Sequence, residues 1–187
     1  ASISSAGAFT STSIDATKLT GALPAIDGSA LTGVGGGKVL QVVNFQTGAV
    51  ATGTTVIPFD DTIPQITEGD EYMTLAITPT SATSKLRIDV VVFLAHSAVA
   101  GDAVATTLFQ DTTASALATS WHANSGGERV GSNVFSHTMT SGATSVTTFK
   151  VRAGGQTGGT TTLNGRIAAR SYGGSVASSI TITEYEV

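Results

Sequence analysis

Apolar and polar residues alternate along most of this chain with a period of two, the signature of β-strands that bury one face. The clearest case is Leu86–Leu94. There Leu86, Ile88, Val90, Val92 and Leu94 share one face, and Arg87, Asp89, Val91 and Phe93 share the other. Since Val91 and Phe93 are apolar too, the second half of this strand is expected to be covered on both sides. Further strands are predicted over Val39–Phe45, Thr54–Phe59, Tyr72–Thr78, Ala103–Phe109, Ala116–His122, Val130–Thr138, Ser145–Arg152, Thr161–Ser171 and Ser179–Val187. Turn formers separate them, including Asp60-Asp61-Thr62-Ile63-Pro64, Asn124-Ser125-Gly126-Gly127, Ser141-Gly142, Gly154–Gly159 and Gly173-Gly174. No segment holds a sustained helical period. Ala114, Ala116 and Ala118 are spaced by two and suit a strand. Many short strands at regular spacing predict an all-β fold, a jelly-roll-like antiparallel β-sandwich.

The first 37 residues differ. Leu19-Thr20-Gly21 recurs as Leu31-Thr32-Gly33, and isolated apolar residues (Leu19, Leu23, Ile26, Leu31, Val34) stand among Ser, Ala, Thr and Gly. Such a segment cannot bury its apolar side chains alone. Several copies wound about one axis bury them, with glycines allowing close approach, so these five residues are expected to line a stalk shared between copies of the chain. The bland reading is a flexible linker. Gly35-Gly36-Gly37 reads as a hinge, dividing an extended attachment segment, 1–37, from a β-sandwich head, 38–187.

Composition sharpens this picture. Only 12% of residues are charged, about half the ~25% usual in soluble domains, while 41% are hydrophobic and net charge is −4. That balance excludes a disordered chain and predicts surface covered by identical partners. Residues 1–111 carry ten acids against four Lys/Arg, and residues 112–187 carry three against five. Neither part has the basic density of a nucleic-acid binder. No apolar run is long enough for a membrane-spanning helix, and no signal-peptide pattern opens the sequence. The absence of cysteine removes disulfides and thiolate chemistry.

The catalytic and metal motifs that the sequence brings to mind are incomplete. Gly35-Gly36-Gly37-Lys38 resembles the end of a phosphate loop, but Thr32 and Val39 stand where that pattern needs Gly and a hydroxyl. Gly154–Gly159 lacks the spacing and following helix of a dinucleotide fingerprint. His96, His122 and His137 have no second ligand at metal spacing, and no Gly-x-Ser-x-Gly elbow occurs. The acids Asp60, Asp61, Glu68, Asp70 and Glu71 crowd into turn-like sequence, without the Asp-x-Asp-x-Asp-Gly pattern of a calcium loop. The expectation is a protein with no catalytic residues, no metal and no cofactor. Recognition residues are sought instead among loop aromatics and their neighbours: Trp121, His122, Asn124, Arg170 and Tyr172. For Trp121 itself, a place in the core is the reading preferred over binding.

The segment Lys18–Val34, with its Leu-Thr-Gly and Leu-Pro-Ala-Ile-Asp-Gly units, resembles repeats in bacteriophage tail fibres. The head looks like C-terminal domains of tail-fibre and other virion appendage proteins, through Val56–Pro64, Glu68-Gly69-Asp70 and Ser179–Glu184. The resemblance implies a homotrimer assembled in the host cytoplasm and displayed on a virion. Its N-terminal segment would meet other virion proteins, and its head would meet a host surface glycan or protein. It implies neither nucleic-acid binding nor membrane insertion. A capsid-decoration or head-fibre protein is one alternative, and a polysaccharide-degrading enzyme another.

Overall fold

The computed structural model describes residues 37–186 and, nearer the N-terminus, the strand pairing of 2–3 and 9–10. Two units form, Ala1–Gly35 and Gly36–Val187. In the first, β1 (Ser2–Ile3) pairs antiparallel with β2 (Phe9–Thr10), a short pairing the sequence pattern did not predict. The stalk residues Leu19, Leu23, Ile26, Leu31 and Val34 lie outside the described residues.

The second unit is all β. Its strands are β3 (Val39–Thr47), β4 (Ala51–Gly53), β5 (Asp70–Ile77), β6 (Lys85–His96), β7 (Ala103–Gln110), β8 (Ala118–Ala123), β9 (Gly131–Thr140), β10 (Thr147–Gly155), β11 (Thr161–Leu163), β12 (Gly165–Arg166), β13 (Ala169–Arg170) and β14 (Ser178–Tyr185). One sheet runs β5-β10-β7-β8. The other has β3-β14-β6 with β9 on the far edge of β6, extended by β11 and β4. Taking the long strands in order, the first pairs with the last (β3 with β14), the second with the seventh (β5 with β10), the third with the sixth (β6 with β9) and the fourth with the fifth (β7 with β8). All these pairings are antiparallel. That is a long hairpin rolled into two sheets, the jelly roll.

Between the sheets sits the predicted stripe: Leu86, Ile88, Val90, Val92 and Leu94 are each fully buried. Facing or flanking them are Ile180 and Ile182 of β14, Phe149 and Val151 of β10, and Val104 and Leu108 of β7. Burial of each such side chain is worth roughly 2 kcal/mol of transfer free energy. On the other face of β6, Arg87 is exposed, while Asp89, Val91 and Phe93 are half-buried, so the outer cover expected over Val91 and Phe93 is partial.

Two predicted strands are corrected. Thr54–Phe59 is not a strand. After Gly53 the chain leaves the sheet: Thr55 donates through its N–H and hydroxyl to the Asp70 carboxylate at 2.8 and 2.9 Å, Ile57 donates from its N–H to the Gly155 carbonyl at 3.0 Å, and Pro58 has no N–H to offer a ladder. The connection crosses the outer face of the β5-β10-β7-β8 sheet with Ile57 buried, and β7 is buried on both sides from Ala103 to Phe109. Thr161–Ser171 is three short pieces because Asn164, Ile167 and Ala168 hold φ of 55°, 53° and 54°. Asn164 is fully buried and bridges the point where the edge of β6 passes from β14 to β11. Its N–H donates to Phe93 O at 2.9 Å, its Oδ1 accepts from Ser178 Oγ at 2.7 Å, and its Nδ2 donates to Thr47 O at 2.7 Å. Among the described residues the one helical element is a 3-10 turn, Tyr172–Gly174, and no helix is long and apolar enough to cross a membrane.

A buried carboxylate ties the ends of the roll together. Glu184 of β14 is 0% exposed and accepts from Ser84 Oγ at 2.6 Å, Gln41 Nε2 at 2.6 Å, and Thr80 N–H and Oγ1, both at 2.9 Å. Burial alone would raise its carboxyl. The hydrogen bonds from Ser84, Gln41 and Thr80 outweigh that and hold it lowered to about 2. A depressed folded-state value means a contribution that is whole above the ordinary carboxyl value of 4.5 and lost as pH falls toward 2. Glu184→Gln removes the charge but keeps the shape. It is expected to cost on the order of 2 kcal/mol in urea unfolding at pH 7, a loss that shrinks as the comparison is moved to pH 3.

The β12–β13 turn makes a second prediction. Ile167 and Ala168 both occupy the left-handed region, which a two-residue hairpin turn requires but a β-branched side chain resists. Replacing the pair with Asn-Gly is expected to raise stability by about 1 kcal/mol, read as a higher thermal midpoint.

Candidate functional site

The strand β8 lies at the edge of its sheet, paired with β7 on one side. Its register sets Val104 against His122 and Ala105 against Trp121. Val104 belongs to the core, so its partner His122 points inward, and Trp121 points outward beside the small Ala105. Trp121 is therefore 52% exposed, which corrects its expected place in the core.

Over that hollow comes the β4–β5 connection. It brings Phe59, 61% exposed, against Trp121, with ring centroids 5.1 Å apart and planes at 64°. This edge-to-face pair walls a groove of about 170 Å³, floored by Ala103 and Ala105 and closed by Pro58 and Pro64. A second, shallower depression of about 440 Å³ adjoins it, sharing Asp60, Thr62, Pro64 and Thr119, and runs along Ala116–Thr119. At the junction Asp60 Oδ1 accepts from the Thr62 hydroxyl at 2.6 Å and the Thr62 N–H at 2.8 Å. The hydroxyl bond first, and the N–H bond after it, hold the exposed Asp60 carboxyl below its ordinary value.

The other candidates separate. His122 Nδ1 lies 3.0 Å from Asn133 Oδ1, and its ring occupies the space where a side chain at Gly131 would stand. Its Nε2 is buried with no hydrogen-bond partner among the described residues. Asn124 is 2% exposed, so its side chain faces the protein and not solvent. Its Nδ2 donates to the carbonyls of Ala98 at 2.9 Å and of His96 and Val99, both at 3.2 Å, and its Oδ1 accepts from Gly126 N–H at 3.1 Å. That amide clamps two loops. Tyr172 is 87% exposed at φ 48°, and Arg170, also exposed, reaches the Gly173 carbonyl at 3.4 Å. Neither lines the aromatic groove or its neighbour. Phe59 was read only as the end of a strand, although its place between Pro58 and Asp60-Asp61, residues that break a ladder and favour turns, was a signal that it stands outside the sheet. Among the described residues no three His, Asp or Glu side chains gather as metal ligands would.

No family model and no curated protein matches this sequence. Solved structures with a similar fold include Eiger TNF from S. frugiperda, with 11% identity and TM-score 0.45 over 76% of this chain and 92% of that one. The C-terminal domain of EclA, a sugar-binding protein, is similar at 13% identity and TM-score 0.32, over 74% of this chain and 83% of that one. A chain of infectious bursal disease virus, Gx strain, is similar at 11% identity and TM-score 0.35, over 79% of this chain and 38% of that one. Similarity at this level carries no functional meaning.

The contrast between Trp121 and Asn124 is measurable. Asn124→Ala leaves several loop groups without partners and is expected to cost about 2–3 kcal/mol in denaturant unfolding. Trp121→Ala is expected to cost less, about 1–2 kcal/mol, because half of its surface already meets water.

Proposed function

We propose that this chain is a non-catalytic virion appendage, a homotrimeric fibre or spike whose N-terminal segment joins copies to each other and to other virion proteins, and whose jelly-roll head contacts a cell surface. One observation carries the contact role: the Phe59–Trp121 pair stands outside the core on a rigid sheet, with an open groove beside it. Large aromatic residues left exposed and concave serve recognition more readily than folding. The Leu-Thr-Gly echo at Leu19–Gly21 and Leu31–Gly33 supports the attachment role, and the 12% charged fraction supports association of identical copies.

Solution mass is the direct test. Light scattering of the full chain at micromolar concentration is expected to give three times the single-chain mass, with loss of the trimer when Leu19, Leu23, Ile26, Leu31 and Val34 are replaced by Ser. A stable monomer of the unaltered chain contradicts the proposal.

A further inference from the structure

The two adjoining depressions differ in chemistry. Phe59, Trp121, Ile57, Pro58 and Pro64 make the smaller one apolar, whereas the larger holds both Asp60 and Asp61. The chain has nine Lys and Arg, yet neither depression is lined by a Lys, an Arg or a His. A groove with two carboxylates and no cation repels an acidic ligand. It also disfavours docking of an identical groove, because four carboxylates would then meet. A half-exposed indole, by contrast, attracts a cation placed over its face more strongly than any other aromatic side chain does.

The geometry points to a binding groove for an amine-bearing glycan: a hexosamine whose ring C–H face packs on Trp121 beside Phe59, with its ammonium toward Asp60 and Asp61. This rests on the reading of the head as a surface-contacting domain and names the chemistry of what it contacts. An apolar floor of Ala103 and Ala105 accepts the ring, and Thr62 and Thr119 offer hydroxyls at the rim. The Thr62 bonds fix one Asp60 oxygen and favour the ionised form, leaving the second oxygen for the ligand. Because the depressions run into one another through Asp60, Thr62, Pro64 and Thr119, the groove continues past a single sugar. An uncharged glycan would cover these carboxylates without compensating them, at a cost in desolvation.

Isothermal titration calorimetry of the full chain tests this with four probes: a fully deacetylated glucosamine tetramer, its N-acetylated counterpart, a galacturonate tetramer and choline chloride. The glucosamine tetramer is expected to bind about tenfold tighter than the acetylated form, with the preference falling as salt is raised. The galacturonate is expected to give no binding. Asp60→Asn with Asp61→Asn is expected to erase the tenfold preference without moving the unfolding midpoint, and Trp121→Phe to weaken every sugar. Equal affinity for the two glucosamine forms, preference for galacturonate, choline binding as tight as the tetramer, or no binding of the tetramer each overturns the proposal. None of those results alters the trimer mass, so the appendage reading stands or falls separately.

Discussion

Strand parity is the constraint from which this structure follows. In a sheet, neighbours across a ladder share a face, so once one strand commits its apolar side to the interior, register passes that choice to every strand it pairs with. Here β6 commits Leu86, Ile88, Val90, Val92 and Leu94, all fully buried. Through its pairing with β14 it brings Ile180 and Ile182 inward opposite Val90 and Ile88, and through β9 it brings Phe135 and His137 to the same side. In the facing sheet Phe149, Val151 and Ala153 of β10 play the same part for Leu108 and Val104 of β7. A slip of one residue anywhere in this chain of pairings would turn a whole strand inside out.

The candidate site is the far end of that transmission. Ala105 stands on the outer side of β7 because Val104 stands on the inner side, and Trp121 stands out because it is opposite Ala105. A small residue next to a large one leaves a hollow. The β4–β5 connection, anchored by Ile57 and by the Asp70 carboxylate holding Thr55, then lays Phe59 across it. Thus the rigid sheet fixes one ring and the tied connection fixes the other, which is the arrangement a preorganised recognition surface needs.

Much of this was legible from the residues. The β6 stripe, the strands around it and the jelly-roll class follow from period-two alternation and turn spacing, because a strand buried on one face must advertise that face. Three features were hidden for physical reasons. β8 is an edge strand whose inner residues are Ala118, Ser120 and His122, so its alternation points the wrong way, and Trp121 looked like its core residue. Thr54–Phe59 has strand-like composition, yet its partners are a carboxylate on β5 and a carbonyl on β10, contacts far apart in sequence. Thr161–Ser171 is rich in strand formers, but local left-handed residues break it, and Ile167 gives no warning of positive φ. Asn124, read as a recognition residue because it sits in a glycine loop, is the clamp that shapes that loop.

Since Trp121 is the sole tryptophan of the chain, its fluorescence reports on the parity argument without any mutation. Acrylamide quenching of the native protein is the most direct measurement. A half-exposed indole placed outward beside Ala105 predicts red-shifted emission that acrylamide quenches substantially, at a rate between those of a buried indole and the denatured chain. Blue-shifted emission shielded from acrylamide would put Trp121 in the core, and would contradict both the β7–β8 register and the groove built upon it.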